Sequence, residues 1–287
     1  QEDLNARAKA AAILGTIQAT YTDFYYIREE WKENAEKDAL IGVSMTGVAN
    51  TKMDSMNLKE AAKVVKDTNA KWAKILGIKT AARCTTLKPA GTSSCVLGTS
   101  SGIHPWHAKY YVRRFKVGKT EDLYEYFKRT NPGLVEDDVM KPHIQGVISV
   151  PQEAPEGAIT RGEDTMEFLK RIQRFNLEWV HEGYRRGANN NNVSATISVK
   201  SDEWDKVGQW IWDNRMDFNG LSVLPWFDES TAQYPQLPFE EITKEEFDRL
   251  NALVNDIDLT KVYEEENKVD FTQESACSGG SCEITSF

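Results

Sequence analysis

The sequence predicts an α/β fold, and three observations predict it. Segments of helical periodicity alternate with short apolar runs of strand type along the chain. The 287 residues, 40% of them hydrophobic, can bury a full core as one large domain or two smaller ones. Finally, Arg83 to His107 reads as a strand running into a loop rich in glycine, serine and threonine.

Taken in order, Glu2 to Ile27 opens with apolar residues at Ala8, Ala11, Ala12, Leu14, Ile17 and Ala19, a small-residue helix able to lie close against a neighbour. From Thr20 to Tyr26 it turns aromatic and polar. Ala39 to Val48 reads as a strand and turn, with Gly42 and Gly47 permitting close backbone approach. Asn57 to Leu76 is helical again and is stopped by Gly77. The strand Ala82 to Leu87 follows.

Beyond that strand, Pro89 ends any ladder, and Gly91 can take a positive φ that aims successive N–H groups into one concavity. Thr92, Ser93 and Ser94 add hydroxyl donors, and a second cluster runs from Gly98 to Gly102. This combination suits an anion, above all a phosphate. Composition alone also describes an ordinary connection, and no G-x-x-x-x-G-K-[ST] pattern can be written through it.

The remaining elements keep the alternation. Tyr110 to Val117 and His143 to Pro151 read as strands, and Glu121 to Arg129 as a helix ended by Asn131-Pro132-Gly133. Met166 to Gly187 is an amphipathic helix whose basic end, Arg185-Arg186, suits the helix dipole. Asn189 to Asn192 lead into a strand from Val193 to Val199. Asn191, Asn192 and Ser194 can hydrogen-bond a nucleotide or close a turn. Asp202 to Met216 is a Trp-rich helix, Gly220 to Pro225 a short strand, and Thr243 with Glu246 caps a last helix.

A formal net charge of −9 argues against general nucleic-acid or anionic-membrane binding and leaves a small molecule or a protein as partner. No apolar run reaches spanning length, and the amino end lacks a signal core. The four cysteines are too few for a disulfide-built secreted fold, so a cytoplasmic location is expected. Cys84 and Cys95 read as small hydrophobes flanking the loop, and His104 and His107 as structural histidines ahead of contacts to phosphate or a cofactor. A chain that opens without Met, directly in helical sequence, suits a processed product, a split-gene product or a fragment.

Near the carboxyl end, Cys277 and Cys282 flank Ser-Gly-Gly-Ser. The glycines permit a small disulfide, C-x4-C matches zinc spacing poorly, and a mobile dithiol working by thiol–disulfide exchange fits the pattern best.

The runs K-P-A-G-T-S-S and T-S-S-G-I-H-P-W-H-A-K-Y-Y-V-R-R resemble the phosphate-loop region of adenosylcobalamin-dependent (class II) ribonucleotide reductases, particularly the monomeric ribonucleoside triphosphate reductases. A-T-Y-T-D-F, I-G-V-S-M-T-G, N-N-V-S-A-T, G-L-S-V-L-P and the terminal cysteine pair extend the resemblance over nearly the whole length. It implies the carboxyl-terminal half of a ten-stranded α/β barrel of the ribonucleotide reductase type over 1–263, and a flexible redox tail over 264–287. It further implies Ala90, Gly91, Thr92, Ser93 and Ser94 as substrate-phosphate ligands, and Cys277 and Cys282 as the dithiol that re-reduces the active site. Adenosylcobalamin is the implied cofactor, no protein-held metal is expected, and the implied reductant is thioredoxin or a similar dithiol. The family's radical cysteine sits in an N-P-C-x-E loop that this sequence lacks, since Asn131-Pro132-Gly133 has no thiol. An amino-terminal half carrying that loop is therefore an expected partner. A non-catalytic nucleotide-binding or thiol-carrier remnant of such a reductase is the alternative.

Overall fold

The computed structural model describes residues 1–51, 53–232, 235–263, 277–278 and 281–282. Its contacts divide the chain into two compact units, one formed by Gln1–Trp106 with Ala154–Phe227, the other by His107–Glu153 with Asp228–Phe287.

The first unit begins with α1 (Glu2–Gln18), which ends well short of the expected Ile27. The Thr20 hydroxyl donates to the Ile17 carbonyl, 2.7 Å, and closes the last turn. The aromatic segment that follows is left exposed, Tyr21 and Tyr25 by about three quarters. After α2 (Glu29–Asp38), Ala39 turns the chain in the left-handed region at φ 43°. The next helix, α3 (Leu58–Leu76), has the expected boundaries. Asn57 caps it by accepting from the Glu60 N–H, 3.0 Å, and Gly77 ends it at φ 73°. Ala8, Ala12 and Thr16 of α1 are buried, and α3 buries Ala61, Ala62 and Val65, so small residues let the two helices approach closely.

The α/β expectation holds, while a ten-stranded barrel is not seen among the described residues, which hold only small sheets. In this unit four short segments run parallel in sequence order. Ile41 to Met45 meets Arg83 to Leu87 at a single bridge between Val43 and Thr85, and the latter meets the next segment at Leu87 and Val193. Only β4 (Thr196–Val199) and β5 (Ser222–Pro225) form a regular ladder, with Thr196 opposite Ser222. The Arg83 to Leu87 segment is shared with another partner: Arg83 bridges Tyr184 in the antiparallel sense, and the Cys84 N–H donates to the Gly183 carbonyl, 3.0 Å. The expected strand through Val48 is cut short because Gly47, at φ 78°, turns into a 3-10 turn over Val48–Asn50.

Helices connect successive parallel segments, since parallel strands need a crossover between them. The connection to β4 is α6 (Thr165–Phe175, with α4 and α5 described below), continued by a π-helical turn over Asn176–Val180. It stops before the expected Gly187 because strand residues intervene. The Thr85 hydroxyl donates to the Trp179 carbonyl, 2.6 Å, and a Cβ on Gly183 would stand 1.8 Å from that hydroxyl. Arg185 then turns inward rather than serving the helix dipole. Its guanidinium donates to Asn69 Oδ1, the Ala81 carbonyl and Cys84 Sγ, at 2.9, 2.9 and 2.8 Å. The core of this unit is a continuous cluster that includes Leu58, Leu87, Leu169, Ile172, Phe175, Trp179 and Ile197. Between β4 and β5 lies α7 (Trp204–Asp213), amphipathic, with Val207 buried and Trp212 63% exposed.

The second unit is antiparallel. Strands β1 (Tyr110–Gly118), β2 (Val135–Asp137), β3 (Gln145–Glu153) and β6 (Phe239–Glu241) order as β2-β3-β1-β6, with Tyr110 opposite Glu153. Gly146 is required there, because a Cβ would stand 2.2 Å from the Tyr124 ring of α5 (Asp122–Thr130). Thr243 caps α8 (Lys244–Asn251) as expected, its hydroxyl accepting from the Glu246 N–H at 3.2 Å. Of the tail expected to be flexible over 264–287, only the backbone of Cys277–Ser278 and Ser281–Cys282 falls among the described residues. No helix among the described residues is long and apolar enough to cross a membrane.

Candidate functional site

The Gly/Ser/Thr loop leaves the carboxyl end of the Arg83 to Leu87 segment, the end of a parallel strand at which α/β proteins bind ligands. It does not form the glycine-driven concavity that the sequence suggests. Residues Gly91–Val96 instead make a six-residue helix, α4, with Ala90 as its extended N-cap at φ −117° and ψ 92°. Gly91 is right-handed, and the positive φ values of the loop belong to Gly98 (59°) and Gly102 (56°). The Ser94 hydroxyl donates to the Ala90 carbonyl and Cys95 Sγ to the Gly91 carbonyl, 2.8 Å, so local side-chain bonds hold the short helix.

The consequence concerns donors. Gly91, Thr92 and Ser93 are exposed, and their N–H groups take no acceptor among the described residues, as expected of a first helical turn. With the Thr92 and Ser93 hydroxyls beside them, they form a set of donors suited to anionic oxygen. Ala90 and Ser94 serve differently. The Ala90 N–H donates to Ser101 Oγ, 2.9 Å, and Ser94 is buried with its hydroxyl turned back onto the helix.

The far half of the loop is anchored by residues that sequence reasoning did not single out. Asn50 Oδ1 accepts from the Ser100 N–H at 3.1 Å, the Thr99 hydroxyl at 3.2 Å and Trp106 Nε1 at 2.9 Å. The Thr46 hydroxyl donates to the Ser100 carbonyl and accepts from the Gly102 N–H, 2.8 and 3.1 Å, while Ser44 Oγ accepts from the Lys88 N–H, 3.0 Å. Both I-G-V-S-M-T-G and the amide after it were visible in the sequence. Their pairing with a loop some 50 residues later was not, because it depends on two strands becoming neighbours.

His104 ties the loop to β4. Its Nδ1 donates to the Ser101 carbonyl, 3.2 Å, and its Nε2 accepts from the Thr196 N–H, 3.0 Å, an arrangement that requires neutral imidazole. Burial lowers its pKa below the ordinary histidine value, and the nearby Arg171 guanidinium adds to that, outweighing the Ser101 carbonyl. Its stabilising contribution is therefore full above the unfolded value of about 6.5 and is lost as pH falls below it, where the unfolded chain takes up the proton first. Urea denaturation at pH 7.5 and 5.5 should show the wild type losing more stability than His104→Asn. Equal losses would refute the assignment. His107 belongs to the second unit, where Nε2 stands 2.8 Å from Glu229 Oε1.

The asparagine tract is mostly engaged in holding strands together. Asn191 Nδ2 donates to the Thr85 carbonyl, 2.9 Å, and Asn192 Nδ2 to the Gly220 carbonyl, 3.1 Å. The Asn192 Oδ1 atom is buried without a hydrogen-bond partner among the described residues, and the Ser194 N–H donates to Leu87. Cys84 is fully buried, and desolvation pushes its thiol pKa up against the opposing pull of Arg185. At the chain's far end the register places Cys277 opposite Cys282 across β7 (Cys277–Ser278) and β8 (Ser281–Cys282). Opposed strand positions have the Cα separation a disulfide needs. Among the described residues no group of three His, Cys, Asp or Glu side chains is placed to hold a metal ion.

Comparison with known proteins points one way. The adenosylcobalamin-dependent ribonucleoside-triphosphate reductase of Euglena gracilis is 25% identical over 264 residues, 88% of this chain and 35% of that protein. Its Lactobacillus gasseri namesake is 25% identical over 230 residues, 77% of this chain and 29% of that protein. A probable enzyme of the same name from Dictyostelium discoideum matches 86% of this chain at 25% identity. A crystal structure of a B-12 dependent (class II) ribonucleotide reductase superposes with a TM-score of 0.69 at 20% identity, covering 85% of this chain and 38% of that one. These matches bear out the resemblance read from the motifs, and the structural likeness is one of fold. The chain spans about a third of the length of the curated relatives it matches. No protein-family model matches it.

Proposed function

We propose that this chain is the carboxyl-terminal portion of an adenosylcobalamin-dependent ribonucleoside-triphosphate reductase. It contributes the substrate-phosphate loop and the dithiol that restores the active site after each turnover. The observation that carries this reading is the alignment of 88% of the chain with little more than a third of one such reductase. The Gly91 to Ser93 donors, at the end of a parallel strand, support the loop assignment. The Cys277 and Cys282 register supports the dithiol.

In this reading Gly91, Thr92 and Ser93 hold substrate phosphate through N–H and hydroxyl groups, while Ala90 and Ser94 keep that turn in shape. Adenosylcobalamin, when bound, supplies the radical that starts the reaction. No cofactor contact is assigned to residues of this chain. The amino-terminal portion brings the radical cysteine, and thioredoxin or a similar dithiol reduces the Cys277 and Cys282 pair by exchange.

The test is reconstitution with the amino-terminal reductase polypeptide from the same source, adenosylcobalamin, a ribonucleoside triphosphate and either thioredoxin or dithiothreitol. Deoxynucleotide should form with both reductants. A Cys277→Ser, Cys282→Ser double variant should lose thioredoxin-supported turnover by more than about tenfold and retain the dithiothreitol-supported rate. Nucleotide binding without product under any pairing would favour a non-catalytic remnant instead.

A further inference from the structure

The Gly91 to Ser93 donors depend on two fastenings at the far half of their loop. At one end of α4 the Ala90 N–H donates to Ser101 Oγ, 2.9 Å, and at the other the Ser94 carbonyl accepts from the Thr99 N–H, 2.9 Å. A helix of six residues makes too few bonds to persist unaided, so its place is set by these contacts. Both lie next to one residue, Ser100.

Ser100 is 4% exposed, and the Thr46 to Asn50 turn holds each of its polar groups. Its N–H donates to Asn50 Oδ1, 3.1 Å, its Oγ accepts from the Ala49 N–H, 3.2 Å, and its carbonyl accepts from the Gly47 N–H and the Thr46 hydroxyl, 2.9 and 2.8 Å. Asn50 Oδ1 also accepts from the Thr99 hydroxyl, 3.2 Å, and from Trp106 Nε1, 2.9 Å. A backbone amide and an indole can only donate, so the Asn50 atom that meets them is the oxygen. The Asn50 amide nitrogen donates to no group among the described residues. What the turn requires at position 50 is therefore an acceptor.

Without that acceptor the buried Ser100 N–H and Trp106 Nε1 lose their partner, at a cost that displaces the segment toward water. Thr99 and Ser101 move with Ser100, and both fastenings of α4 go with them.

We infer that Asn50 is a positioning residue for substrate phosphate, acting on it only through Thr99, Ser100 and Ser101. The inference rests on the function proposed above. Phosphate oxygens meet the loop alike before and during the chemistry, so loosening it removes uniform binding and raises KM, with kcat little changed. Aspartate at position 50 supplies the same acceptor and gives up no bond of the amide nitrogen. It therefore serves where alanine fails.

The experiment uses the whole chain reconstituted with the amino-terminal reductase polypeptide from the same source, adenosylcobalamin, a ribonucleoside triphosphate and dithiothreitol. Asn50→Ala should raise KM more than about tenfold and change kcat less than about threefold. Asn50→Asp should bring KM back to within about threefold of the wild type. Inorganic tripolyphosphate and the unphosphorylated nucleoside, each as a competing inhibitor, separate the loop from the remainder of the site. Asn50→Ala should weaken inhibition by tripolyphosphate more than about tenfold and leave inhibition by the nucleoside unchanged. Should Asn50→Ala not fold, Thr99→Val removes one donor and keeps the acceptor. It should raise KM about threefold at constant kcat, and an unchanged KM would overturn the role. Equal weakening of both inhibitors, a fall in kcat at unchanged KM, or an Asn50→Asp variant as impaired as Asn50→Ala would also overturn it and leave the proposed function standing. No deoxynucleotide from the wild-type pairing would overturn the proposed function, and this role with it.

Discussion

Gly102→Ala should release the loop and cost about 2–4 kcal/mol of stability, well above the effect of an ordinary surface change. Gly102 sits at φ 56°, and a Cβ there would stand 2.6 Å from the Lys88 carbonyl oxygen and 3.3 Å from Pro89 Cα. Left-handed backbone alone costs an L-residue about 1–2 kcal/mol, and the clash is with main chain that cannot rotate away. Displacing Lys88 and Pro89 also moves the entry to α4, so under the proposed function ribonucleoside triphosphate binding should weaken together with stability. Gly91→Ala is the informative partner, because Gly91 is right-handed and a Cβ on it would meet nothing within 4 Å. That change should stay within about 0.5 kcal/mol in urea denaturation. A Gly91→Ala variant as damaged as Gly102→Ala would show that the helical description of the loop is wrong.

Trp179→Ala should be the most destabilising single change in the first unit, by about 3–5 kcal/mol. The side chain is 0% exposed, packs in the central cluster and donates from Nε1 to the Thr86 carbonyl at 3.0 Å. The Trp179 carbonyl in turn receives the Thr85 hydroxyl, so both strand residues ahead of the loop hang on this one position. Trp179→Phe separates volume from hydrogen bonding. It keeps most of the packing and leaves the Thr86 carbonyl without that donor, an expected loss of about 1–3 kcal/mol. Urea denaturation of the two variants should rank them in that order, and a loss below about 1 kcal/mol for Trp179→Ala would contradict the central place given to it.

Legibility in the sequence differed by element, for identifiable reasons. The helix from Leu58 to Leu76 was plain because its signals are local, an asparagine cap, apolar spacing on one face and a glycine stop. The same holds for the cap at Thr243 and for the long strand β1. The ends of α1 and α6 were overestimated, since what ends them is a hydroxyl from within the turn in one case and backbone pairing of Gly183 and Arg185 with Cys84 and Ala82 in the other. Arg185 looked like a cation at a helix end, and it became the donor that satisfies a buried amide, a carbonyl and a thiol.

For the site, the sequence by itself determined which residue types gather after the Arg83 to Leu87 segment and, through its motifs, which reductases the chain resembles. Glycines and hydroxyls are legible because each restricts its own backbone or offers its own donor, without reference to anything far away. Tertiary structure alone decided that the donors at Gly91 to Ser93 come from a short right-handed helix, with Gly102 and Gly47 supplying the tight approaches. It also decided that Asn50, Thr46 and Ser44 hold the loop. Those features depend on which strands become neighbours, and hydrogen bonds between segments 50 residues apart leave no periodicity for a single sequence to display.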